Sequence, residues 1–530
     1  MSFEPPATFN IADYFLHRRI AEGLGDRVAL RLDSGDLTYA EVQTLATAFS
    51  RCLQSLGVEP EDRVLVALPD GAEFVGALFG ILQIGAVVVM VNPTLEADSL
   101  AHLIDSSRAS CAVLDPEALP GFERAAHGGE NRTRFLLCGE GEGTKHERFD
   151  SMEARSPAAG GDELRMFPTH RDAPAIWLFS GGTTGRPKAV VQTHRSFANT
   201  TELYAKRALG FDKDDITLSV PKLFFGYATG SNLLFPFSVG GSAVLFPERP
   251  TAEVLFDKIH RHQPTVLVNV PTMVNQMLNH PEAGSQNLKS LRFATSAGEA
   301  LPAPLYQKWK DTFGVELLDG LGTAEMWHIF VSNLPGAVRP GTLGQVIPGF
   351  ELDVRDDEGR SLPNEEVGRL WVRGESLALG YWNDPEKTAA AFRGGWFVGG
   401  DLVSRDSEGY VTYCGRGDDV LKVGGKWLVP QEVESCMMRH PAVSECAVVG
   451  VDDEDGLTKP CAFVVRKDSQ GVETGIETEL ANELKQFVLE NLQPYKHPRR
   501  VIFLGDFPRT HLGKIDRGEL RRLAAAQSKS

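Results

Sequence analysis

From Thr38 onward the apolar residues Val42, Leu45, Ala46, Phe49, Leu53 and Leu56 recur at helical spacing, and Gly57 closes the run. Thr38 with Glu41 three residues on makes a capping box, so the pattern predicts a helix that begins there. Val64 to Leu68 then reads as a strand. From Phe74 to Val91 the chain is apolar save for Gln83, nearly long enough to imitate a membrane span. Its character changes at Gly85: helix-tolerant residues precede it, and the β-branched Val87, Val88 and Val89 follow, closed by Asn92-Pro93. The segment therefore reads as helix, glycine stop and buried parallel strand, with no membrane insertion. Such alternation predicts α/β layers around parallel strands.

Between about Glu140 and Asp172 periodicity is lost among Gly, Pro and charge, which predicts a surface loop. The apolar run Ala175 to Phe179 that follows reads as a strand leading into Ser180-Gly181-Gly182-Thr183-Thr184-Gly185-Arg186-Pro187-Lys188, with helical character from about His194. Glycines that let the backbone approach an anion, hydroxyls and two cations make this a candidate phosphate loop in a strand, loop, helix arrangement. Its spacing is not the G-x-x-x-x-G-K-[ST] of the P-loop kinases and GTPases. Two further strands, Leu291 to Thr295 and Val315 to Leu318, each open into a Gly-bearing stretch, Ser296-Ala297-Gly298-Glu299 and Asp319-Gly320-Leu321-Gly322-Thr323-Ala324-Glu325. Loops at the carboxyl ends of parallel strands share one crevice, so the three converge on a single nucleotide site. Leu223-Phe224-Phe225-Gly226-Tyr227 packs aromatics among glycines, which suits either core packing or a ligand wall.

From about Gly341 the period shortens to alternating strands, a small antiparallel, barrel-like piece. The expected fold is α/β: a large N-terminal domain of layered α/β subdomains with that β piece, residues 1–417, and a small mobile α+β C-terminal domain, residues 418–530. At 530 residues the chain is too long for one ordinary core. A net charge of −17 without a Lys/Arg run excludes a nucleic-acid partner and an anionic membrane surface, and leaves polyanion binding to local donors. Seven cysteines, none in a C-x-x-C pair, point to free thiols, and the N-terminus lacks the basic and apolar regions of a signal peptide; the expected location is cytoplasmic.

The Ser-Gly-Gly-Thr-Thr-Gly-Arg-Pro-Lys order, and further motifs as far as Arg517, resemble the adenylate-forming superfamily of acyl-CoA synthetases, peptide-synthetase adenylation domains and luciferases. Asp319 to Phe330 together with Leu223 to Tyr227 is most similar to its benzoate–CoA ligase group. The resemblance implies an enzyme that uses ATP, Mg²⁺ and coenzyme A to convert an aromatic acid, benzoate or a substituted benzoate such as 2-aminobenzoate (anthranilate), to its CoA thioester through an aryl-adenylate. It places Thr183, Thr184 and Lys188 at the ATP phosphates, Gly298, Glu299, Asp319, Gly320 and Leu321 at the adenine, and Asp401 and Arg416 at the ribose, with Ser180, Gly181, Gly182, Gly185 and Gly322 also in the ATP/AMP-binding set. Glu325 would ligate Mg²⁺, and Lys514 would bridge carboxylate and α-phosphate during adenylation. Rotation at a hinge, Asp418, would then bring Gly424 and Gly425, with Lys422 beside them, to the site for CoA. The aryl pocket would be Phe225, Gly226, Tyr227, Gly320, Leu321, His328 and Ile329. Two positions depart from the family pattern: Ala324 stands where threonine is usual, so that Thr323 is the candidate substitute, and Gly399-Gly400 precedes Asp401. The same residues also suit an adenylation enzyme loading an acyl carrier protein, luciferase-type oxygenation, or a non-catalytic ATP-binding module.

Overall fold

The computed structural model describes residues 3–526 apart from 96, 127–132, 140–145, 156–164, 181–187, 418–420, 424–425, 453–457, 468–473 and 510–514. Thr38 caps the helix Tyr39–Ser55 as its sequence requires: the hydroxyl accepts from Glu41 N at 3.3 Å and the Glu41 carboxylate accepts from Thr38 N at 2.7 Å. The apolar segment resolves into the helix Ala72–Gln83 and the strand Val87–Met90, and Gly85, at φ +79°, ends the helix in a conformation most side chains avoid. Among the described residues no helix is long and apolar enough to cross a membrane. Phe49 on the first helix stacks at 3.9 Å on Phe149, which opens the short helix Phe149–Arg155. Part of the expected surface loop is therefore core, too brief a stretch for its period to register.

The strand Arg63–Ala67 lies in an eight-stranded sheet, paired in parallel with Val87–Met90 and Cys111–Leu114. Pro174–Ser180 continues this sheet beside Val87–Met90, and here the structure corrects the strand, loop, helix expectation. Lys188–Thr193 is itself a strand, antiparallel to Pro174–Ser180 with Ser180 opposite Lys188, and the helix His194–Thr200 starts only after it. The β-branched Val190 and Val191 favour extension, and Thr193, not a glycine, caps the helix. The helix N-terminus thus lies a full strand beyond Lys188 and does not follow the Gly-rich stretch directly.

A nine-stranded sheet carries the parallel strands Val266–Asn269, Phe293–Ser296 and Leu317–Gly322 side by side. A second correction falls on Asp319 to Gly322, expected as loop: the strand runs through them and pairs antiparallel with Ile329–Ser332. Gly320 and Gly322 are two apart and so share a face. A Cβ on Gly322 would lie 2.6 Å from His328 O, so only glycine lets the returning chain pass this close. The crevice is consequently formed between two sheets, one bearing Lys188 and the other Gly298 and Gly320, and not along one sheet's edge.

Glu351–Arg355, Gly368–Arg373, Trp396–Arg405, Phe392–Arg393 and Val411–Arg416 make a five-stranded antiparallel sheet, as the alternation implies. Beyond it, Leu421–Val423 pairs with Lys426–Leu428, and Val443–Asp452, Thr458–Arg466 and Arg500–Leu504 form a three-stranded sheet. Val448 and Val464 pack on one face of that sheet with Val433, Leu484 and Val488, while Ala447 and Phe463 pack on the other with Leu520 and Ala524. This smaller unit has cores of its own. All seven cysteines are buried, with no disulfide among them.

Candidate active site

A cavity of about 1370 Å³ opens where the two large sheets meet the five-stranded one, and Lys188, Gly298, Glu299, Gly320 to Glu325, Asp401 and Arg416 all line it. These residues come from distant stretches, and register explains the last pair: Asp401 and Arg416 face each other on neighbouring antiparallel strands. Arg416 Nε stands 3.9 Å from Asp401 Oδ1, which also accepts from the Tyr413 hydroxyl at 3.3 Å. A carboxylate acceptor beside a guanidinium donor suits a vicinal diol.

Glu325 sits on a short 3₁₀ turn, Ala324–Met326, capped by the Thr323 hydroxyl, which accepts from Met326 N at 3.3 Å. Thr323 therefore serves the turn as well as lining the cavity. The Glu325 side chain is 7% exposed, and its Oε1 accepts from the Tyr381 hydroxyl at 2.8 Å. Burial raises the carboxyl above its usual range, opposed by Tyr381 and by the charge of Lys188. No group of three or more His, Cys, Asp and Glu poised for a metal occurs among the described residues. A single buried carboxylate matches the way Mg²⁺ is held, through one or two carboxylates plus substrate phosphates. Tyr381 was not legible as a site residue: Gly380-Tyr381-Trp382 carries no chemical signature, and Glu325 is distant in sequence.

Glu299 is partly committed to the frame. Its Oε2 accepts from Thr272 N at 3.1 Å and Thr272 Oγ1 at 2.7 Å, at the start of the helix Pro271–Asn279. Asp319 lines an adjoining cavity of about 980 Å³ that shares Gly298, Glu299 and Arg416, and burial pushes its carboxyl well above the usual range. Arg509 of the smaller unit reaches this edge, with Nη1 3.4 Å from Thr272 Oγ1 and Nη2 2.9 Å from Glu445.

Of the expected aryl residues, Gly320 and Leu321 line the larger cavity, whereas Phe225, Gly226, Tyr227, His328 and Ile329 line neither. Phe225 and Phe224 stand ring to ring at 4.3 Å, and Gly226 begins a helical stretch that runs on to Phe237. The Tyr227 hydroxyl is hydrogen-bonded to Thr295 Oγ1 at 2.7 Å. His328 is 3% exposed; its Nε2 lies 3.1 Å from Tyr227 O and 3.2 Å from Ser231 Oγ. A carbonyl can only accept, so Nε2 carries the proton and Nδ1 is the acceptor. Nδ1 is buried without a partner among the described residues. Burial pushes the imidazole down to about 4, so it is neutral at pH 7. Ile329 is packed in the main core. Outside the described residues lie Gly181, Gly182, Thr183, Thr184, Gly185, Asp418, Gly424, Gly425 and Lys514, together with the side chains of Ser180 and Lys422.

The description "AMP-binding enzyme" matches residues 17–382, and "AMP-binding enzyme C-terminal domain" matches residues 432–514. The chain belongs to the AMP-binding enzyme family. Within this family it is 40% identical over 521 residues to the benzoate–CoA ligase of Thauera aromatica, covering 97% of this chain and 96% of that one. The structure of an anthranilate CoA ligase in complex with anthranoyl-AMP superposes with a TM-score of 0.93 at 34% identity, covering 99% of both chains. That of a benzoate CoA ligase from Burkholderia xenovorans LB400 gives 0.87 at 38% identity, over 97% of this chain and 100% of the other. The large α/β unit and the smaller C-terminal one are thus the architecture of this enzyme family.

Proposed function

We propose that the protein is an ATP-dependent aryl-CoA ligase that activates a benzoate-type acid as its adenylate, releases pyrophosphate, and transfers the acyl group to CoA with release of AMP. The observation that carries this reading is the single cavity in which Lys188, Glu325 and the Asp401–Arg416 pair converge beside glycine strands. In this reading Asp401 and Arg416 hold the ribose, the backbone around Gly298 and Gly320 lies along the adenine, and Lys188 with the 181–185 loop meets the phosphates. Glu325 holds Mg²⁺, whose charge offsets that of the phosphates. A carboxylate approaching an α-phosphate brings two anions together, so Lys514 works by position and charge. Gly424, Gly425 and Lys422 serve the second half-reaction after rotation at Asp418, with residues 418–530 as the moving domain. Likeness to CoA ligases over the whole chain supports CoA as acceptor over a carrier protein. The buried, unbridged cysteines support a reducing, cytoplasmic setting.

The acyl group then lies against Phe225, Gly226, Tyr227, Gly320, Leu321, His328 and Ile329, flat walls suited to a planar ring. His328 refines the choice. Its Nε2 is spent on the frame while Nδ1 is a buried acceptor without a donor among the described residues, which favours a ring carrying an amine or hydroxyl. The test is formation of CoA thioesters, read by mass spectrometry, from benzoate, 2-aminobenzoate, 2-hydroxybenzoate and octanoate, with pyrophosphate exchange into ATP measured without CoA. Exchange and thioester from aromatic acids, with the amino acid preferred, are expected. Preference for octanoate would overturn the aryl assignment, and absence of exchange with every aromatic acid would overturn adenylation.

A further inference from the structure

Lys188 and Glu325, the cation and the carboxylate at the phosphate end of the cavity, belong to different sheets, and one side chain touches both. The short strand Gly380–Tyr381 extends the eight-stranded sheet by pairing antiparallel with Lys188–Thr193, Tyr381 lying opposite Val190. Lys188 is two residues from Val190 and so shares its face, diagonal to Tyr381. Its ammonium stands 5.0 Å from the centre of the Tyr381 ring, within cation–π reach. The hydroxyl of the same ring donates to Glu325 Oε1 at 2.8 Å.

Tyr381 is itself held on several sides. Its backbone N donates to Thr388 Oγ1 at 3.0 Å, and its ring meets Phe392 edge-on at 5.5 Å. Next to it the Trp382 indole donates to Ser106 O at 2.8 Å and packs on Trp177 at 4.7 Å. Two more hydrogen bonds cross the same seam, from Ala378 N to Glu325 O at 2.9 Å and from the Gln192 side-chain Nε2 to Ala324 O at 2.7 Å. These ties fix the turn that bears Glu325, while the hydroxyl acts on the carboxylate itself.

We propose that Tyr381 is a positioning residue for the metal–triphosphate end of the nucleotide: it aims Glu325 with its hydroxyl and seats Lys188 over its ring. The proposal rests on the reading of the cavity as an ATP site. It assigns Tyr381 to the part of the ligand that ATP with its divalent ion has and AMP lacks.

The experiment is calorimetric titration of the full chain with MgATP and, separately, with AMP, in the absence of acid and CoA. Tyr381→Phe keeps the ring and removes the hydroxyl; it is expected to weaken MgATP about 10- to 100-fold, the span of one hydrogen bond to a charged group, and AMP by less than about twofold. Tyr381→Leu removes the ring as well and weakens MgATP further. In a Glu325→Gln background the effect of Tyr381→Phe shrinks, since its partner charge is gone. Equal weakening of MgATP and AMP, or an undiminished Tyr381→Phe effect beside Glu325→Gln, would overturn the proposal. Wild-type protein that bound no MgATP would overturn the nucleotide reading along with it, whereas wild-type binding with none lost in Tyr381→Phe overturns the proposal alone.

Discussion

The nucleotide end and the aryl end of the site are built on opposite plans. Lys188, Asp401 and Arg416 stand on strand surfaces that line an open cavity, and each reaches it from its own sheet position. Tyr227, His328 and Ile329 are packed in or against the main core, where most of their polar atoms are satisfied by neighbours. Substitutions at the first end therefore change ligand binding with little effect on folding. At the second end specificity and stability are paid from the same contacts, so a substitution there moves both.

The sharpest way to separate the ends is to remove a group that meets only the reacting anions. Lys514→Ala should slow pyrophosphate exchange about 10²- to 10³-fold, the scale of one electrostatic contact made in the transition state, and leave transfer from preformed aryl-adenylate to CoA far less affected. Equal loss in both half-reactions would remove the case for domain alternation. Next in size is Gly322→Ala, whose methyl would meet the His328 carbonyl at 2.6 Å. It is expected to cost about 1–3 kcal/mol in urea unfolding and to distort both ends, since that strand pair borders each. A wild-type midpoint would show that the hairpin yields easily.

His328→Leu breaks the comparison from the aryl side. Leaving Tyr227 O and Ser231 without their partner should cost about 1–3 kcal/mol of stability, and any preference in kcat/KM for 2-aminobenzoate over benzoate should collapse toward one. A preference that survived intact would place the recognising group elsewhere. A comparable effect, spread over pH, comes from buried histidines. His194 accepts from Ile11 N at 3.1 Å and burial pushes its imidazole down to about 3, while His328 lies at about 4. Both bind a proton more readily unfolded than folded, so stability is whole above about pH 6.5 and declines as pH falls below it. His194→Gln should flatten that decline by about 1.4 kcal/mol per pH unit, read from urea midpoints between pH 6.5 and 4.5. An unchanged slope would mean that His194 titrates normally.

Local chemistry determined a good deal of this protein by itself. The Thr38–Glu41 cap, the stop at Gly85 and the switch to β-branched residues after it depend on neighbours in the chain, and each appears where the pattern puts it. Residue types and their order marked the Gly-rich stretch as a phosphate-loop candidate, and the resemblance of the motifs to the adenylate-forming superfamily added Glu325, Asp401 and Arg416 to it. What sequence could not decide was which side chains face one another across sheets. Gly320 and Gly322 have the composition of a loop, and only the returning strand 329–332 turns that into a requirement for close passage. Tyr381 meets Glu325 because two sheets abut, a contact set by packing between elements far apart in the chain. The tautomer of His328 is likewise fixed by a carbonyl on another element, since a lone imidazole has no reason to prefer either nitrogen.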